Sequence, residues 1–130
     1  MQQTQDIPKT FAIKSIPEDF TVFRFLLKWH WILYGTFPGG YDDPESVPVS
    51  RIYRWMKEYV LPPSFQISER TAHNIFTFER DGKQSQGSRF TRHSGLVPFC
   101  YLTELRWLAN TQELSPIQRV RLRQSDNIKL

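Results

Sequence analysis

The stretch from position 20 to position 34, FTVFRFLLKWHWILY, constrains this chain more than any other. Phe20, Phe23, Leu27, His30 or Trp31, and Tyr34 recur at three- and four-residue steps, the spacing of one face of an α-helix. Val22, Phe25, Leu26, Trp29, Ile32 and Leu33 fill most of the remaining circumference. A helix apolar nearly all round has no broad face to give to water, so the rest of the domain has to fold about it. It is too short to cross a bilayer, which takes roughly 20 apolar residues, and it carries Arg24, Lys28 and His30. The pattern therefore predicts a central core helix over residues 18–34. Pro17 stands at its first turn, and the carboxylates of Glu18 and Asp19 stand at its positive end.

The chain around that helix suffices for one core. Its 130 residues are 39% apolar and 15% aromatic, which excludes intrinsic disorder for the body of the molecule and fits one domain. Residues 11–124 are read as that domain, with flexible segments at 1–10 and 125–130. The single cysteine, Cys100, excludes an internal disulfide and a cysteine-rich zinc site. The polar N-terminal residues lack the positive start and apolar stretch of a secretory signal, so a cytoplasmic location without membrane attachment is expected.

The fold class expected is α+β: a mainly helical single domain of three to five helices, with one β-hairpin and a short N-terminal strand over residues 11–16. Glycine, proline and aspartate crowd residues 35–44, which read as a loop. A second helix is predicted from 47 or 48 to 60, with Ser46 as its N-cap, Glu45 at its start and Pro62-Pro63 ending it. Residues 68–80 carry two periodicities. Ala72, Ile75 and Phe76 fall at helical spacing behind Ser68, whereas Asn74, Phe76, Phe78 and Arg80 alternate with Ile75, Thr77 and Glu79 as a strand would. On the strand reading, 75–80 pairs with 88–93 in a hairpin with a polar tip at 83–87. A further helix is expected over 99–110 with Leu102, Leu105, Leu108 and Ala109 inward. Ser115 and Gln118 form a capping box that opens a last helix to 124, with Ile117 and Val120 inward.

Positive charge gathers in the later half. Residues 1–65 are balanced, with seven basic and seven acidic side chains; residues 66–130 hold ten basic and six acidic ones and so carry the whole net charge of +4. Residues 82–103 include Lys83, Arg89, Arg92 and His93 and no carboxylate. Such asymmetry favours a polyanion or an acidic protein surface as partner. Lys83, Gln84, Arg89 and Arg92 offer charge and hydrogen-bond donors to phosphate. If residues 68–76 are helical, Arg70, His73 and Asn74 line the exposed side, where arginine and asparagine can read base edges. Arg119, Arg121 and Arg123 add auxiliary phosphate contacts. Two helices, a third over 68–76 and a basic hairpin, spanning about residues 46–97, resemble the winged-helix arrangement in architecture.

Signals for catalysis or a cofactor are weak. His30, His73 and His93 have no second ligand at helical spacing, and His30 reads as a satisfied core histidine. Asp42, Asp43 and Glu45 lack the spacing of a calcium loop, and Gly35, Gly39 and Gly40 lack that of a phosphate loop. Cys100, between Phe99 and Tyr101, reads as a small core residue, and Glu79, Asp81 and Lys83 as a charged turn. The expectation is a non-enzymatic, nucleic-acid-associated protein without cofactor or metal. The alternative is a protein-interaction module, which includes the option of a homodimer. Its motive is a surplus of aromatics: Trp29, Trp31, Trp55, Trp107, Tyr41, Tyr53 and Phe37 exceed what one core needs, and those that emerge as a contiguous exposed patch would mark an interface.

Overall fold

The computed structural model of the chain describes residues 16–17, 19–65, 67–80 and 95–127. These contain five α-helices: α1 (Val22–Tyr34), α2 (Val49–Trp55), α3 (Glu69–Arg80), α4 (Leu96–Ala109) and α5 (Pro116–Gln124). A π-turn, Met56–Val60, extends α2, and short 3-10 turns cover Pro44–Ser46, Thr111–Glu113 and Ser125–Asn127. Among the described residues there is no strand; the sole extended pairing is an isolated bridge between Phe37 and Tyr41.

The α+β expectation is thereby corrected. Residues 75–80, the first arm of the expected hairpin, are the C-terminal half of α3. The helical alternative prevails there because Ala72, Ile75, Phe76 and Glu79 all turn to the core at helical spacing. Ser68 also caps the start: its hydroxyl accepts from the Thr71 N–H at 3.1 Å. A winged helix needs the hairpin and falls with it. The second arm at 88–93, the tip at 83–87 and most of the strand expected at 11–16 lie outside the described residues.

The central helix is where the pattern put it, but its start is different. Pro17 and Asp19 precede α1 in a turn closed by the Phe20 N–H on the Pro17 carbonyl, and no carboxylate stands in the first helical turn. Thr21 is the N-cap, its hydroxyl accepting from the Arg24 N–H at 3.1 Å. The N–H of Phe23 instead donates to the Glu79 carboxylate of α3 at 2.9 Å. At the other end Gly35 adopts the left-handed conformation (φ 81°) that a side chain resists, and its N–H closes on the Trp31 carbonyl at 2.8 Å. The next two carbonyls are taken by α5: Arg121 donates to Ile32 at 3.2 Å and Gln118 to Leu33 at 3.1 Å. Both ends of α1 are thus completed by helices remote in sequence, which satisfies groups that a helix alone leaves open.

α1 touches each of the other four helices, and α2 packs most closely on α3. Trp29, Leu26, Leu27 and Ile32 of α1 are fully buried, joined by Ile52 and Met56, by Ile75 and Phe76, and by Leu96 and Cys100. Lys28 reaches Glu104 of α4 at 2.8 Å in an ion pair largely withdrawn from water. Three local expectations are corrected. Ser46 does not cap α2; it belongs to the preceding 3-10 turn and donates to Asp43, which caps that turn, while Pro48 stands at the N-cap of α2. In α4 the buried side is Leu96, Val97 and Cys100, and Leu108 and Ala109 face outward. In α5 the capping box forms as expected, but Ile117 is exposed, and Leu122 makes the core contact.

His30 makes stability depend on pH. It is partly buried against Tyr34 and Trp55, and Nδ1 donates to the Thr36 carbonyl at 2.6 Å. Burial holds its pKa below 6.5, with the carbonyl bond opposing in part. The neutral ring is thus favoured on folding. The contribution is complete above pH 6.5 and is lost as pH falls through the lower folded-state value. The urea midpoint should fall between neutral and mildly acid pH, and His30→Gln should flatten that fall. An unchanged pH profile in the variant would show that His30 does not carry it.

Candidate nucleic-acid interface

α3 is built with two unlike sides. Its inner side buries Ala72, Ile75, Phe76 and Glu79. On its outer side Arg70, His73, Asn74 and Thr77 are all exposed. The spacing i, i+3, i+4, i+7 aligns these four as a single stripe along about two turns. Thr77 joins the three residues expected from sequence, and the same helical spacing from His73 and Asn74 marks it. Glu69 is exposed in the first turn, but between residues 70 and 80 the one carboxylate, Glu79, is turned inward onto α1. The stripe therefore presents a guanidinium, an imidazole, an amide and a hydroxyl with no carboxylate beside them within those residues. Arg80 is not available in the same way: its guanidinium donates to the Val47 carbonyl and lies 5.5 Å from the Phe23 ring.

The other candidates are placed differently. Lys83, Gln84, Arg89 and Arg92 lie outside the described residues. Arg121 is spent on the C-terminal end of α1, the opposite end from Glu79, where a cation suits the helix dipole. Arg119 donates to the carbonyls of Thr111 (3.3 Å) and Gln112 (2.6 Å) and so completes the turn before α5. Arg123 is exposed with no ion pair or hydrogen bond among the described residues. The three arginines are therefore not one basic cluster: two hold the backbone and one faces solvent.

The aromatic surplus is largely used inside. Phe37, Trp29, Tyr53 and Trp55 are buried, and Trp31 and Trp107 pack against the core. Of the seven named for a surface patch only Tyr41 is exposed. A helix with neighbours on every side consumes large rings on every side, which is why the expected patch is absent there.

Cys100 is fully buried, and burial with the fields of Glu79 and Glu104 pushes its thiol far up, so the thiolate is disfavoured. Among the described residues no three of His, Cys, Asp and Glu come together as metal ligands would, and no helix is long and apolar enough to cross a membrane. No family model matches the chain, and neither a curated protein nor a solved structure does.

Proposed function

We propose that this protein associates with nucleic acid through the outer face of α3, without catalysing a reaction. The observation that carries this reading is the exposed stripe Arg70, His73, Asn74 and Thr77, whose neighbouring carboxylate Glu79 is turned away into the core. Arginine pairs with guanine and asparagine with adenine edges, and every donor on the stripe also suits phosphate. By sequence the helix leads into residues 82–103, where Lys83, Arg89 and Arg92 add positive charge without a carboxylate. Arg70 and these three would neutralise three or four phosphates.

Binding to a labelled duplex should weaken with salt at a log–log slope of about −3. Arg70→Ala should reduce that slope by about one, because one phosphate contact is lost. Asn74→Ala should leave the slope alone and weaken base discrimination by about 1–3 kcal/mol. Arg121→Ala should lower stability instead of altering the slope. Failure to bind duplex or single strand at low salt would refute the reading, as would a slope that Arg70→Ala does not change.

A further inference from the structure

Between α1, α4 and α5 lies a cleft of about 410 Å³, within the size range of small-molecule sites. Trp29, Trp107, Leu33 and Leu114 supply its apolar lining. The two indoles meet edge to face at 4.7 Å, and the buried N–H of Trp29 has no acceptor among the described residues. Arg106 and Glu113 are the charged residues of the lining, and both are exposed. Neither side chain has an ion pair or a hydrogen bond among the described residues. Asn110, the C-cap of α4, also lines the cleft, so the negative end of that helix dipole faces it.

We propose that this cleft binds a free aromatic α-amino acid, with its ring against Trp107 and the two leucines, its carboxylate on Arg106 and its ammonium on Glu113. The lining selects an apolar ring, because an indole and branched aliphatics give contact area without polar partners. The rim selects a zwitterion. A plain carboxylate would leave Glu113 facing a like charge, and a plain amine would do the same to Arg106; a ligand bearing both groups answers both. The carboxylate meets a guanidinium, its best-matched cation, and the ammonium lies at the carbonyl end of α4. This proposal is independent of the nucleic-acid reading.

The test titrates the full chain with L-phenylalanine, with 3-phenylpropanoate, which lacks the ammonium, and with 2-phenylethylamine, which lacks the carboxylate. Indole N–H resonances report where each binds. L-Phenylalanine at millimolar concentration should shift Trp29 and Trp107 and leave Trp55 in place, and each half-ligand should bind at least about tenfold more weakly. Arg106→Ala should remove the advantage of L-phenylalanine over 2-phenylethylamine. Glu113→Ala should remove its advantage over 3-phenylpropanoate. Both positions are exposed, and unchanged far-ultraviolet circular dichroism will verify that the variants fold. Three outcomes overturn the proposal: no shift at Trp29 or Trp107, equal binding of the three probes, or binding unaffected by both substitutions.

Discussion

Trp29→Ala is expected to lower the free energy of unfolding by about 3–5 kcal/mol, the range for truncating a fully buried large aromatic. That is a large part of the roughly 5–15 kcal/mol that holds a domain of this size together. The indole is fully buried on the most central helix, it packs edge to face on Trp107, and the Lys28 ammonium lies 5.9 Å from its ring centre. Truncation would leave a cavity among α1 and its neighbours that interlocked helices cannot easily close. Trp29→Phe should cost much less. It keeps most of the ring, and it removes a buried indole N–H that has no acceptor among the described residues, relieving a penalty of about 1–3 kcal/mol. Urea unfolding of the two variants measures the difference. Equal losses would mean that the N–H is well bonded and that the ring contributes by more than its volume.

The second large effect is expected at Glu79. Glu79→Ala should destabilise the fold by about 2–3 kcal/mol, because a charge-assisted hydrogen bond is lost and the Phe23 N–H is left unpaired in a buried place. Glu79→Gln keeps an acceptor and gives up the charge at the helix N-terminus, a loss of about 0.3–1 kcal/mol. The two variants therefore separate the hydrogen bond from the charge–dipole attraction. Hydrogen exchange at the first amides of α1 should accelerate in Glu79→Ala more than exchange in α5. A variant as stable as the parent would show that the α1 start needs no partner from α3.

These two residues differ in how much the sequence says about them. The burial of Trp29 is legible, since a helix apolar around its circumference has to be enclosed. The role of Glu79 is not. Among its neighbours in sequence it reads as part of a charged turn beside Asp81 and Lys83, and the carboxylates that the sequence places at the start of α1 are Glu18 and Asp19. Thr21 caps the helix later than the proline suggested, so Asp19 is left in the preceding turn, and a side chain 56 positions away takes its place. Arg119 and Arg121 follow the same logic. As a sequence cluster they resemble a phosphate-binding strip, yet each finds backbone carbonyls at a helix or turn end. The α3 stripe lies between these cases. Arg70, His73 and Asn74 were identifiable as one face only on condition of a helix, and residues 74–80 carry strand alternation equally well.

By itself the sequence determined the body and depth of α1, the capping box of α5 and the stop of the second helix before Pro62, because each depends on intervals of a few residues that backbone geometry sets. The tertiary structure alone decided that residues 75–80 are helical, that four of the seven candidate aromatics are buried and two more pack partly against the core, and which charges remain free for a partner. Those outcomes depend on which distant carbonyl, amide or ring a side chain meets. That meeting is set by the path of the whole chain around α1 and leaves no fixed spacing in the sequence to read.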